Sequence, residues 1–290
     1  MTAADWPLLP EWLLSPWALA LFGLCVGSFL NVVIHRLPLM LERQWKADST
    51  EMLGLPAPAD DSGKPFTLSR PRSHCPACKK LIPWTRNIPL FSYLALRGRC
   101  GSCGESISLR YPLIEILCAV LFALVAWRIG AQPVALLWCG FVAALLALAG
   151  IDWDTTLLPD NITLPLLWAG LAASAMGWTI PLREAVWGAL AGYLSLWSIY
   201  WLFKLATGKE GMGYGDFKLL AALAAWLGVS MIVPIILAAS VIGAIVGIAM
   251  KFADTLREGR YVPFGPFLAA AGVAILLLGN QRVLGWLGWA

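Results

Sequence analysis

Long apolar runs separated by short charged or turn-rich breaks organise this chain. Runs at about 16–34, 111–127, 133–151, 161–179, 184–205, 217–229, 231–250 and 264–288 approach the roughly 20 apolar residues that carry a helix across a bilayer. They predict about eight transmembrane helices. The run from Phe217 to Leu227 is short for a crossing: Gly228 and Val229 complete it, or it is a half-helix, and neither periodicity nor length decides. Only the stretch from His35 to Arg110, between the first two runs, is long enough for an extramembrane domain.

Composition agrees. Of 290 residues, 59% are hydrophobic and 13% charged, with a mean hydropathy of +0.73, whereas charged residues make up about a quarter of a typical soluble chain. A single soluble core is excluded, and the expected fold is an all-α polytopic membrane protein with a small cytoplasmic domain. The net charge of +4 is mild and the charges form no basic stripe, so no nucleic-acid partner is expected. Met1 to Pro16 carries Asp5 and Glu11 and no Lys or Arg. It lacks the basic start of a cleavable signal, and the first run is expected to be retained.

Placement of the basic residues orients the chain, because cytoplasmic loops hold an excess of Lys and Arg. With eight spans, the His35–Arg110 loop shares a side with Lys204, Lys209, Lys218, Lys251, Arg257 and Arg260, while Arg128, Arg183 and Arg282 lie opposite. That puts 18 of the 21 Lys and Arg on the loop's side. The loop is therefore expected in the cytoplasm and the amino terminus on the other face. Three parts follow: 1–34, an amino-terminal segment with the first helix; 35–110, the cytoplasmic loop domain; and 111–290, the remaining membrane helices. Within the loop, 48–63 is rich in Pro, Ala, Asp and Ser and reads as a flexible insertion. From 69 to 110 the loop becomes rich in Cys, Arg and Pro.

Four of the seven Cys form two CxxC knuckles, Cys75-Pro-Ala-Cys78 and Cys100-Gly-Ser-Cys103. Paired knuckles at this spacing point to a tetrathiolate Zn2+ site, since each turn lets two thiolates converge on one tetrahedral ion. Pro76, Gly101 and Gly104 suit the tight backbone required. Disulfides are the rival reading, and a cytoplasmic location argues against them. Four protein ligands leave no open position, so the metal would be structural and would fold a loop too short to build its own core. His74 reads as a bystander, and Cys25, Cys118 and Cys139 as small core hydrophobes.

Carboxylates in apolar segments are costly, about 2.5–3.5 kcal/mol for Asp at a helix centre. Two sites stand out: Asp152 and Asp154 in Gly150-Ile151-Asp152-Trp153-Asp154, where a span gives way to a polar turn, and Asp216 in Gly213-Tyr214-Gly215-Asp216, where a Gly-rich turn opens the next run. The charge-derived topology puts both at cytoplasmic ends. Two carboxylates within reach of each other share a proton, so one activates water while the other polarises a carbonyl, which suffices to hydrolyse a peptide bond. Gly213 and Gly215 permit close approach of an extended peptide. Three other readings stay open: Asp216 as an N-cap for a helix beginning at Phe217, ordinary interfacial carboxylates, or relay groups of an ion- or proton-coupled transporter.

Across nearly its full length the chain resembles the type IV prepilin peptidases, the bifunctional leader peptidases and N-methyltransferases of pilus and type II secretion systems. The resemblance rests on Gly27-Ser28-Phe29-Leu30-Asn31-Val32 through Arg36-Leu37-Pro38, the paired knuckles, and Arg97-Gly98-Arg99-Cys100. It continues through Arg110-Tyr111-Pro112 with Glu115, Ile151-Asp152 through Leu158-Pro159, and Gly213-Tyr214-Gly215-Asp216-Phe217-Lys218. It implies a GxGD-class aspartic peptidase of the bacterial inner membrane, with a periplasmic amino terminus and a cytoplasm-facing site. Asp152 and Asp216 would be catalytic, supported by Gly213, Gly215, Asp154 and Lys218.

The implied substrates are type IV prepilins and pseudopilins, cut after a Gly that ends a basic leader. The new amino terminus, commonly Phe, would be methylated from S-adenosylmethionine. No glycine fingerprint of a Rossmann domain is present, and Gly98 and Glu105 mark the expected region of the methyl-donor site. A non-enzymatic assembly factor of a secretion machine is a further alternative. Asn31 is expected to bond across helices, and Arg36, Lys204 and Lys209 to anchor at headgroups. Lys218 either stabilises ionised Asp216 or faces phosphate.

Overall fold

The computed structural model describes residues 10–55, 66–209, 211–253 and 262–289. Among the described residues the secondary structure is helical, with two isolated bridges, His74 to Leu81 and Arg99 to Ser106. The helices are α1 (Pro16–Met52), α2 (Phe91–Ala95), α3 (Arg110–Ile129), α4 (Val134–Thr155), α5 (Asp160–Ala175), α6 (Leu182–Thr207), α7 (Tyr214–Leu227), α8 (Ile232–Phe252), α9 (Gly265–Leu278) and α10 (Asn280–Trp286). Each of the eight apolar runs is thus helical. Among the described residues five helices are long and apolar enough to cross a membrane, six if the bent α9–α10 pair is one span. The chain is a multi-pass membrane protein. Helices α5 and α7, with 16 and 14 residues, fall short of an ordinary crossing.

Two expectations are corrected. Helix α1 does not end near 34 but runs 37 residues to Met52, with Pro38 inside it and its start capped by the Ser15 hydroxyl. Residues 48–52 of the expected flexible insertion are therefore helical, and 56–65 lie outside the described residues. The run 264–288 is not one helix either: it bends by 102° between α9 and α10. Gly279, at φ +90°, ends α9, and the Asn280 side chain donates to the Leu227 carbonyl at the end of α7 at 2.7 Å. That bond satisfies one of the carbonyls a helix terminus leaves open.

The chain separates into two compact units, Trp12–Trp127 and one that begins at Arg128. In the first unit α1 and α3 run antiparallel. Their backbones meet at Gly23 and Gly27: a Cβ at Gly23 would lie 2.8 Å from the Ala119 Cα, and one at Gly27 2.7 Å from the Glu115 Cα. Helices in lipid gain little from hydrophobicity and associate through such close packing of small residues. One turn further on, Asn31 donates to the Tyr111 carbonyl at 3.1 Å, the cross-helix bond expected of it. Arg36 is not simply a headgroup anchor, because its guanidinium donates to the carbonyls of Thr67 and Leu68. Cys118 is buried, but Cys25 lies on an exposed face of α1, so it is no core residue.

The second unit is built around α7. From Phe217 to Leu227 the only residue of this helix that is not buried is Lys218, as expected of a helix apolar all round. Small residues on its neighbours admit it. Gly188 and Gly192 on α6 sit against the backbone at Ala224 and Leu220, Gly170 on α5 against the Trp226 ring, and Gly272 on α9 against Leu223. The Trp226 indole N–H donates to the Leu166 carbonyl at 2.8 Å, and Trp138 and Phe141 pack on its ring at 5.1 Å. Helix α7 is buried from Leu219 to Leu227, and its amino-terminal turn, with Tyr214 exposed, carries the buried Asp216.

Candidate active site and metal centre

Asp152 occupies the last turn of α4 and is 5% exposed. The helix stops because Thr156 turns left-handed (φ 55°) and its N–H bonds back to the Asp152 carbonyl at 2.8 Å. Leu157-Leu158-Pro159 then leads into α5. A carboxylate at the carboxyl end of a helix faces an unfavourable dipole, so a buried one there needs another donor. It has one: the Gly265 N–H, at the first position of α9, donates to Asp152 Oδ2 at 2.9 Å. The positive end of one helix dipole thus offsets the negative end of another.

Asp216 is the third residue of α7 and 7% exposed. It is not an N-cap. The helix begins at Tyr214 and Gly213 caps it in extended conformation, so the Asp216 carboxylate sits in the first turn, directed back toward the Gly213 N–H. A helix amino terminus favours an anion there. The turn is held by aromatic rings, with Tyr200 packed on Tyr214 at 5.3 Å and Tyr214 on Phe217 at 5.5 Å. Lys204 lies over the Tyr200 ring and donates to its hydroxyl at 3.2 Å, so it belongs to this cluster as well as to the helix end.

One side chain joins the two turns. A Cβ at Gly215 would fall 2.7 Å from the Leu158 Cβ, and one at Gly265 would fall 3.1 Å from a Leu158 methyl and 2.6 Å from Asp152 Oδ2. Leu158 is thus wedged between the GxGD turn and the start of α9. Asp152 and Asp216 lie close enough to interact electrostatically, though 64 positions apart in the chain. Asp154 is half-buried on the same helix, and residues two apart do not share a helix face. Lys218 does not turn to Asp216: its ammonium contacts both oxygens of Asp160 at 2.7 Å, tying the start of α5 to the start of α7. Sequence reasoning missed Gly265. Its signal was Pro263-Phe264-Gly265-Pro266, a glycine between prolines opening an apolar run.

The four knuckle cysteines converge, with all sulfur atoms within 4.8 Å of one another. Cys75 and Cys103 stand 3.8 Å apart, the edge length of a tetrahedron with metal–sulfur bonds of about 2.3 Å. The two knuckles repeat one design. Cys75 N–H bonds to the Lys80 carbonyl and Lys79 N–H to the Cys75 carbonyl; Cys100 with Glu105, and Gly104 with Cys100, do the same. The left-handed position falls on Lys79 in one and Gly104 in the other. N–H groups of Ser102 and Cys103 hold the Cys100 thiol down at about 6, from its usual 9.0, while at Cys103, against the Glu105 N–H, burial and the neighbouring thiols push the thiol up to about 12. His74 is exposed, its ring nitrogen on the Arg72 carbonyl, outside the cluster.

Gly98 and Glu105 flank the second knuckle. Gly98 (φ +68°) ends the turn after α2, and a side chain on it would strike the Tyr93 hydroxyl at 2.8 Å. Its carbonyl accepts from Ile107. Glu105 is exposed, and its backbone carbonyl is the acceptor for Cys100. Glu115, buried on α3, accepts a bond from the Leu90 N–H at 2.7 Å.

Comparison with known proteins identifies the family. Residues 21–129 match the family model of the bacterial peptidase A24 N-terminal domain, and 139–248 match the type IV leader peptidase family. The chain is 51% identical to a prepilin leader peptidase/N-methyltransferase of Stutzerimonas stutzeri, over 92% of each chain. It is 52% identical to one of Pseudomonas putida, over 89% of each chain. A third, from Pseudomonas aeruginosa, is 51% identical over 93% of this chain and 92% of that one. No solved structure matches. With both family models covering most of its length and half its residues shared with these enzymes, the chain belongs to the type IV leader peptidase family.

Proposed function

We propose that this protein removes the basic leader from type IV prepilins and pseudopilins and methylates the new amino-terminal residue, commonly Phe. The observation that carries the reading is the burial of Asp152 and Asp216 within electrostatic reach of each other at the ends of α4 and α7. Two such carboxylates share one proton. The ionised member takes a proton from water as it attacks the scissile carbonyl, and the protonated member donates to the carbonyl oxygen. Gly213 leaves the turn open where an extended substrate would lie, Gly215 lets Leu158 pack against the turn, and Asp154 and Lys218 support the turns that carry the pair. The transporter alternative has no support among the relatives, each of which is named as a peptidase and methyltransferase.

The skewed placement of Lys and Arg supports eight crossings of the bacterial inner membrane, a periplasmic amino terminus and a site opening toward the cytoplasm. A basic leader is kept inside by the same rule. It also supports the division into 1–34, 35–110 and 111–290. For the metal, the Cys75, Cys78, Cys100 and Cys103 thiolates fit Zn2+, which would cross-link the two knuckles structurally. For S-adenosylmethionine the expected region is that of Gly98 and Glu105: Gly98 lies against the Tyr93 hydroxyl and Glu105 is exposed. No step is assigned to either residue.

The test is the mass of a purified pilin precursor before and after incubation with the protein, with and without the methyl donor. Leader loss in both samples, and an added methyl group only with the donor, is the expected result. An unchanged precursor mass would remove the proposal. The metal has its own test. About one zinc per chain is expected, lost when Cys75 and Cys100 are both replaced by Ser, with faster proteolysis of residues 69–110. Metal-free wild-type protein of equal protease resistance would refute the closed site.

A further inference from the structure

Beyond its knuckles, the loop domain carries a surface that the peptidase reaction does not use. Between Phe66 and Arg110 the chain has eight Lys or Arg against the single acidic residue Glu105, and all eight are exposed. Large apolar side chains stand out among them: Trp84 is 76% exposed, and Phe91 and Leu94 each 62%. Phe91 and Leu94 are three apart on α2 and so share one helix face. Arg97 and Arg99 follow immediately.

The depth of this segment is set by the Glu115 bond. Leu90, the residue before α2, is held at 2.7 Å by a carboxylate five positions into α3, a helix apolar enough to cross the membrane. At 1.5 Å per residue that is about 7.5 Å along the axis from Arg110. The pairing of Gly27 with Glu115 and of Asn31 with Tyr111 puts the same level inside the apolar run of α1. The start of α2 therefore lies at the depth of the headgroup and acyl boundary, where amphipathic elements rest their apolar faces.

We propose that Pro83 to Arg99 is an interfacial element. Phe91, Leu94 and Trp84 would seat in the leaflet, and Arg97 and Arg99 would bind the phosphates of anionic lipids. Aromatic rings favour this zone, and the excess of positive charge complements an anionic surface. The partner is the lipid of the bilayer the protein itself spans, and the element holds the metal-binding domain down against it.

The test uses the full-length protein in nanodiscs of phosphatidylcholine alone, or mixed with phosphatidylglycerol, and in detergent. Backbone hydrogen exchange of peptides covering 83–99 is measured by mass spectrometry. Exchange is expected to slow at least about tenfold on adding phosphatidylglycerol, as one or two surface charges would give. The double variant Arg97→Gln/Arg99→Gln should lose that lipid dependence while keeping its metal content. Phe91→Ser/Leu94→Ser should exchange fast in every medium, again with metal retained. Equal exchange in both nanodiscs overturns the anionic-lipid assignment. Protection in detergent equal to that in the phosphatidylglycerol nanodisc also overturns it, because no anionic lipid would then be needed.

Discussion

Replacing either Asp152 or Asp216 by Asn is expected to lower leader removal by at least about 10³-fold, within the range of a lost general acid or base. The amide has the shape of the carboxylate and no charge, so it enters the same buried site at no added desolvation cost. An Asn at 152 can still accept the Gly265 N–H, and one at 216 still sits in the first turn of α7. Both variants should therefore reach the membrane in normal amounts with their metal bound. What they lose is the ability to hold and release a proton. Methylation of a pilin supplied already cleaved should continue in both, since it draws on different groups. Full cleavage by both variants eliminates the pair, and a failure of methylation with Asp216→Asn means the two activities cannot be separated.

Gly265→Ala should come next in size, with kcat for cleavage reduced up to about 10²-fold. A methyl at this position would stand 2.6 Å from Asp152 Oδ2, closer than atoms tolerate, and in tight contact with a Leu158 methyl at 3.1 Å. The carboxylate must retreat from its donor, and Leu158 cannot yield because Gly215 lies on its other side. A displacement of about 1 Å in a reacting group has an effect of this order. KM for the precursor should change little, because Gly265 is buried and its nearest neighbours are Asp152 and Leu158. Gly140→Ala, on the same helix as Asp152 but with nothing near its Cβ position, supplies the control and should retain wild-type activity. Wild-type kcat in Gly265→Ala would show that the backbone bond to Asp152 is not needed.

Features legible in the sequence are those encoded over short distances. Each apolar run is helical, the last as two helices, since a backbone in lipid must satisfy its hydrogen bonds within its own segment. The knuckles were legible because two residues between thiols leave few ways to turn. The end of α1 was misjudged, because polarity from His35 onward marks departure from the bilayer and not the end of helical hydrogen bonding. The break at Gly279 was missed inside an apolar run for a complementary reason: composition there suits lipid, while the bend depends on φ at one glycine and on a carbonyl from α7. Lys218 was assigned a choice between Asp216 and phosphate, and it took Asp160, 58 positions away, an exposed pair worth at most about 1 kcal/mol.

By itself, the sequence determined that the chain lives in a membrane, where its apolar helical runs fall, that four cysteines can hold one metal, and that Asp152, Asp154 and Asp216 bear unusual cost. These follow from hydropathy, local turn chemistry and the expense of burying charge. Tertiary structure alone decided that the Asp152 carboxylate meets the Gly265 N–H 113 residues away, that Leu158 joins both turns, and that α7 is buried from Leu219 to Leu227. Such contacts depend on backbones approaching where side chains are missing, and a glycine in the sequence does not reveal which partner will fill the space it leaves.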